Sequence, residues 1–350
     1  MIKTDIIVIG AGPTGLFAVF EAGLLKLKCH LIDSLPKAGG QCTEIYPKKP
    51  IYDIPSRPEI LAGDLVDQLM AQIQPFQPGF TLGETAQKVE KQSGGSFVVT
   101  TDKGTQHHAP VVAIAGGLGS FEPRKPDLTY LTQWEDKGVD YIIREPEKYR
   151  NKKVLIAGGG DSALDWTIVL AELAQSVTLV HRRNEFRGAL DSVEKVQALK
   201  DQNKIQLITP AEVTDLAGDQ HLSAVTVSRE GTSVAHPVDY FIPLFGLTPK
   251  LGPIAHWGLE IEKNAIKVNN SLDYQTNIPG IYAIGDVNIY PGKLKLILCG
   301  FHEATLMCQS AFQRIYPDKK NVLKYTTVSG ISGFDGSRKE AQKSTIKTIG

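Results

Sequence analysis

Three glycines and one acid near the start of the chain carry a recognisable chemistry. An apolar, β-branched run, Ile6 to Ile9, is followed by a turn holding Gly10, Gly12, Thr14 and Gly15 and then a helical stretch to about Leu25. A second apolar run, Cys29 to Ile32, ends on Asp33. In a strand–helix–strand unit of this form each glycine has a separate job. Gly10 permits the tight turn, Gly12 lets the backbone approach a pyrophosphate, and Gly15 lets the helix pack close to the strand. The helix start then presents free amides and a positive dipole end to phosphate. Asp33 stands where a carboxylate reaches ribose hydroxyls.

The pattern recurs. Val154 to Ala157 is a strand, Gly158 to Ala163 a turn, Leu164 to Ala174 a helix and Ser176 to Val180 the next strand. Gly158, Gly160 and Ala163 fill the three roles of the first glycine set, with Asp161 and Ser162 between them. The units differ at the end of the second strand. The first ends in an acid, which suits a ribose diol and repels phosphate; the second ends in His181, Arg182 and Arg183, which suit a 2′-phosphate. FAD is therefore expected at the first site and NADP(H) rather than NAD(H) at the second, with Arg187 a weaker contributor. The alternative for the arginines is a solvated pair at a helix entry.

These residues need elements to hold them. The stretch from Ser34 to Pro55 is rich in Gly and Pro, has no helical period, and reads as a segment lying along a ligand. Asp64 to Ile73 reads as an amphipathic helix, Thr81 to Thr101 as short strands, and Pro110 to Ala115 as a buried strand. Tyr240 to Leu247 is a further apolar strand, and Ile281 to Ile284 another, ending at Gly285-Asp286. The last helix is expected from about His302 to Ile315, which puts His302 and Glu303 near its start as capping or ligand-edge groups. Proline-dotted crossings follow Gly117 and Leu247. The expected division is thus a discontinuous FAD-binding domain, 1–117 with 248–325, an NADP-binding domain, 118–247, and a C-terminal extension, 326–350.

Bulk properties narrow the field. The 350 residues are 42% hydrophobic and 22% charged, and 38 basic residues balance 38 acidic ones, so attraction to nucleic acid or to a membrane surface has no support. No apolar run approaches a membrane span. The first strand begins at once after Met1, from which a cytoplasmic location is expected. Cys29, Cys42, Cys299 and Cys308 form no CxxC pair. His107 and His108 are placed in a loop without metal-ligating partners, and no metal site is expected.

With A-G-P-T-G, G-G-Q, G-G-G-D-S-A, H-R-R and A-I-G-D in order, the chain resembles the pyridine nucleotide-disulfide reductase superfamily, and more narrowly the thioredoxin reductase-like fold. It departs from the disulfide reductases in lacking their cysteine pair. Cys42 follows G-G-Q, but Pro47 stands where the second thiol would be, and one thiol cannot form an internal disulfide. Cys42 is then a packed thiol near the flavin. The segments G-G-Q-C-T-E-I-Y-P-K-K-P-I-Y-D, G-L-G-S-F-E-P-R-K and Y-P-G-K-L-K are similar to the thioredoxin-reductase-like ferredoxin–NADP reductases. That resemblance implies an α/β protein of two three-layer Rossmann-like domains, a homodimer with one FAD per subunit. It implies FAD contacts at Thr14, Asp33, Gln41, Tyr46, Ala86, Phe121, Asp286 and Thr327. Tyr46 and Tyr325 match rings that stack on the two faces of the isoalloxazine. No acid or base residue is expected, because hydride transfer between NADPH C4 and flavin N5 needs positioning above all. Single electrons would pass to ferredoxin or flavodoxin, docked on Lys293, Lys295, Arg338, Lys339, Lys343 and Lys347; the alternative is that these are solvated side chains. Two other readings stay open: a reductase acting on an external thiol partner, and an FAD/NADP redox sensor without turnover.

Overall fold

A computed structural model describes residues 1–119, 122–248 and 250–319. Phe121, Tyr325, Thr327 and the basic residues Arg338, Lys339, Lys343 and Lys347 lie outside the described residues, as does the segment expected to form the C-terminal extension.

The chain divides into two compact units, one built from the described parts of Met1–Ser120 and Lys250–Gly350, the other from those of Phe121–Pro249. The first is organised around a parallel five-stranded sheet in the spatial order Ile281–Ala283, Val111–Ile114, Ile6–Ile9, Cys29–Asp33 and Gly79–Leu82. Ile6–Ile9 and Val111–Ile114 are apolar at every position because both of their faces are covered. Ile6 and Val8, with Val111 and Ala113, point into a core shared with the helices Pro13–Leu24, Ala62–Ile73 and Ile297–Ile315. Their neighbours Ile7, Ile9, Val112 and Ile114 point the other way, into a second core closed by Phe97, Val99 and Ala109 of an adjoining sheet. One-residue alternation thus loads two cores from one strand. Burying a side chain of this size contributes about 1.5–3 kcal/mol.

The second unit repeats the plan with a four-stranded parallel sheet in the order Gln206–Ile208, Ser176–Val180, Lys153–Ala157 and Tyr240–Pro243. It adds an antiparallel three-stranded sheet, Glu212–Gly218, Leu222–Arg229 and Thr232–Pro237. Among the described residues no helix is long and apolar enough to cross a membrane.

Four local expectations are corrected. The last helix begins at Ile297, not near His302; of its first turn Ile297 packs against the core shared with the other helices, while Leu298 is exposed. The helix of the second unit begins at Asp161, not Leu164, since the turn's own residues form its first turn. A short helix, Gln41–Glu44, interrupts the Gly/Pro-rich segment read as irregular. His107 and His108 lie in a strand, Gln106–Ala109, rather than a loop.

Candidate functional site

In the first unit the glycine turn sits where the strand connections diverge, the crevice in which open α/β sheets hold ligands. Gly10 has φ +107°, and a Cβ there would strike the Ala115 carbonyl, so the turn is pressed against the end of the neighbouring strand. Gly12 caps the helix Pro13–Leu24 with no side-chain hydrogen bond, which leaves the first-turn amides uncapped. Nothing stands within 4 Å of where its Cβ would be. Asp33 accepts hydrogen bonds from the Ala11 amide at 2.6 Å and the Leu35 amide at 2.9 Å. Burial pushes its carboxyl above the usual carboxylate range, and those two amides work against the rise.

Other segments close on the same turn. The Gly39 amide donates to the Ala11 carbonyl at 2.8 Å, and a Cβ at Gly40 would lie 3.3 Å from Gly12 Cα. Gln41 follows at the start of its short helix, where its Nε2 lies 3.6 Å from a Cβ built on Gly117. Cys42 is 2% exposed and its thiol faces Tyr46 Oη at 4.0 Å. Burial raises Cys42 to about 11, with the Tyr46 contact partly offsetting and Asp286 reinforcing. The thiol is therefore protonated near neutrality and a poor nucleophile. Tyr46 is held far above its ordinary range by burial, then by Cys42 and Asp286. Ala86 begins a strand next to the Asp33 end of the sheet, buried in the second core.

Asp286 reaches this crevice on the turn Gly285–Val287. Gly285 has φ +76°, and a Cβ there would lie 3.0 Å from Thr14 Oγ1. In the first turn of the last helix, Gly300 is closer still, and a Cβ there would collide with the same hydroxyl. Thr14, Gly285 and Gly300 are thus interlocked. Asp286 accepts no hydrogen bond among the described residues. Burial raises its carboxyl, Lys293 and Lys295 oppose the rise, and Glu303 adds to it.

Two sequence assignments are corrected beside it. Glu303 is not a cap: it is fully buried in the second turn of the last helix, and its carboxylate is committed within the chain rather than free as a ligand-edge group. Its carboxylate accepts from the Gly285 amide (2.6 Å), Asn288 Nδ2 (2.8 Å), Tyr290 Oη (2.9 Å) and Lys293 Nζ (2.5 Å). Lys293 therefore does not belong to a docking surface; its side chain is 5% exposed and committed to Glu303. Lys295 remains exposed. A clue was present in the sequence, since Glu303 falls in register with the buried helix positions Gly300, Ala304, Met307 and Ala311.

The second unit builds a matching turn. The Gly158 amide donates to the Val180 carbonyl at 3.0 Å, a Cβ at Gly158 would lie 2.6 Å from the Leu244 carbonyl oxygen, and no atom stands within 4 Å of a Cβ at Gly160. Ala163 is fully buried, as close helix packing requires, while Ser162 is exposed at the helix start. Asp161 is committed within the chain, accepting the Ala189 amide at 2.8 Å. His181 Nε2 pairs with the Glu185 carbonyl at 3.1 Å and its ring stacks on Phe186. Arg182 and Arg183 are exposed and make no ion pair or hydrogen bond among the described residues. They lower the His181 pKa, after the larger effect of burial.

Both turns fit dinucleotides by the same test: open space above the second glycine, an uncapped helix start, and a strand-end group of the appropriate charge. Among the described residues no cluster of three or more His, Cys, Asp or Glu side chains could hold a metal ion. A family model described as pyridine nucleotide-disulphide oxidoreductase matches residues 4–307. Ferredoxin–NADP reductase 1 of Christiangramia forsetii is 71% identical, with 100% of each chain covered. The ferredoxin–NADP reductase of Flavobacterium johnsoniae is likewise 71% identical, with 100% of each covered. That of a Bradyrhizobium species is 52% identical, over 94% of this chain and 96% of its own. The thioredoxin reductase of Lactococcus lactis shares the fold, with a TM-score of 0.77 at 23% identity over 90% of this chain and 100% of that one. The chain therefore has a thioredoxin-reductase-like α/β fold, and it belongs to the pyridine nucleotide-disulphide oxidoreductase family.

Proposed function

We propose that the chain is an FAD-dependent ferredoxin–NADP reductase. The carrying observation is the pairing of two dinucleotide turns of opposite strand-end charge with a buried, protonated Cys42 that has no second thiol. The full-length 71% identity to reductases of that name supports the same reading. When bound, FAD accepts electrons in pairs from NADPH and releases them singly. The first unit takes FAD: the amides after Gly12 hold the pyrophosphate, Asp33 the ribose, and Thr14, Gln41, Ala86 and Asp286 line the path, with Phe121 and Thr327 completing it. Tyr46 and Tyr325 cover the ring faces and exclude water. The second unit takes NADP(H) at Gly158, Gly160, Ser162 and Ala163, with His181, Arg182 and Arg183 on the 2′-phosphate; Asp161 fixes the loop beside it. The domain limits are 1–117 with 248–325, 118–247, and 326–350. The assembly is a cytoplasmic homodimer, which light scattering of the holoprotein tests.

Steady-state reduction of ferredoxin or flavodoxin by NADPH, with NADH and a dithiol substrate as controls, decides the reading. Rapid ferredoxin reduction is expected; turnover confined to the dithiol substrate, or none with any acceptor, overturns it. The ferredoxin rate should fall steeply with salt if Lys295 and the tail residues Arg338, Lys339, Lys343 and Lys347 steer an acidic carrier. A flat response removes that surface.

A further inference from the structure

The last helix carries a fully buried glutamate at a position where such patterns place apolar residues. A carboxylate without water is tolerated only when its acceptor capacity is filled and its charge balanced. Glu303 meets both conditions with groups from one short stretch. One oxygen takes the Gly285 amide and Asn288 Nδ2; the other takes Tyr290 Oη and Lys293 Nζ. Asn288 in turn donates to the Ala283 carbonyl at 2.8 Å, so the strand end, the turn and the segment to Lys293 are tied to one side chain. Tyr290 lies under the Lys293 ammonium, 5.3 Å from ring centroid to nitrogen, and against Tyr274. The tied turn is the one that presents Asp286, which accepts no hydrogen bond among the described residues. Gly285, adjoining it, holds a positive φ that the Glu303 hydrogen bond fixes.

We propose that Glu303 and Lys293 form a positioning pair for the flavin, orienting the Asp286 turn and keeping the net charge behind it near zero. The proposal rests on the FAD reading of the first unit. Neither residue touches the cofactor crevice as a ligand; both act through the Gly285–Asp286 turn. Because the pair is buried, its two charges are weakly screened, and removing one exposes the site to the other. Loss of the carboxylate leaves an uncompensated ammonium, which favours the electron-rich reduced flavin. Loss of the ammonium leaves an uncompensated carboxylate, which disfavours it.

The test measures the FAD dissociation constant, the flavin midpoint potential of the holoprotein and the melting temperature of the apoprotein for Glu303→Gln, Lys293→Met and the double variant. Glu303→Gln should raise the potential, Lys293→Met should lower it, and the double variant should return towards the parent value. Each single change should weaken FAD binding by roughly ten- to a hundredfold, as expected for losing hydrogen bonds to a charged group. Shifts of the same sign, or weaker FAD binding with the potential unmoved in both single variants, would assign the pair a purely structural role and overturn the proposal. Should Glu303→Gln fail to fold, an unchanged or raised potential in Lys293→Met overturns it alone. A parent protein that binds no flavin would instead bring down the functional reading itself, and this inference with it.

Discussion

At the scale of single residues, the proposed preference for NADP(H) rests on a few exposed cations. Arg182 and Arg183 have no partner among the described residues, so their guanidinium groups are free for a phosphate; such groups bind phosphate by charge-assisted, often bidentate hydrogen bonds. Replacing both with Ala should raise KM for NADPH roughly ten- to a hundredfold and leave that for NADH nearly unchanged; equal losses with both cofactors would reassign the pair to the surface. A second residue-scale effect lies under the other sheet. His30 and His107, 8% and 0% exposed, share the Thr81 hydroxyl at 2.8 and 2.9 Å. Burial, and then His107, push His30 down to about 4, and burial lowers His107 as well. An unfolded histidine titrates near 6.5, so the unfolded chain binds more protons between those values. The contribution of His30 is therefore complete above about pH 6.5 and is lost as pH falls towards 4. It amounts to roughly 1–3 kcal/mol. Chemical denaturation at pH 7 and pH 4.5 should show the stability gap between the parent and His30→Gln narrowing at the lower pH. A gap independent of pH would exclude the mechanism.

At the scale of elements, the crevice depends on how closely the first and last helices approach. Gly300 leaves room for Thr14, and a methyl group there would collide with its hydroxyl. Gly300→Ala should cost about 1–3 kcal/mol by overpacking. Adding Thr14→Ala, which removes the colliding atoms, should recover much of that loss, and strictly additive effects in apoprotein unfolding would show that the two positions are not coupled. Neither partner in this contact was legible as a contact. Gly10, Gly12, Gly15 and Asp33 could be read because turn geometry demands those residue types at those spacings, and the same holds for Gly158, Gly160 and Ala163. Gly300 lies far along the chain, inside a stretch where glycine signals nothing local. The helix begins upstream of the sequence expectation for a related reason. Ile297 and Leu298 look like an extended apolar run, and only the packing of Ile297 against the core shared with Pro13–Leu24 marks this as a first turn, Leu298 being exposed. Lys293 illustrates the other limit. A lysine in a Gly/Pro-rich segment reads as solvated, and only the buried Glu303 opposite it reverses that.

At the scale of the whole molecule, two parallel sheets with separate cores imply two separately stabilised binding units. The two cores of the first unit and the core of the second, built around Leu155, Val180, Val225 and Phe241, each draw their buried residues from a single unit. A ligand stabilises the state that binds it, by about 2.7 kcal/mol at a hundredfold excess over its dissociation constant. Amide hydrogen exchange reports where that stabilisation is spent. FAD should slow exchange in the helices Pro13–Leu24 and Ile297–Ile315 and at the Gly285–Val287 turn, because their amides and packing frame one crevice. NADP⁺ added to the FAD-loaded protein should slow exchange in Asp161–Ala171 and around Arg187, whose amide donates to the Gly159 carbonyl at 2.7 Å. The antiparallel sheet from Glu212 to Pro237 should respond to neither ligand. It shares the core of the second unit but contributes no residue to the glycine turn. Protection by NADP⁺ appearing first in the helix Pro13–Leu24 would mean that the strand-end charges had been assigned to the wrong nucleotides, with Asp33 facing the nicotinamide cofactor after all.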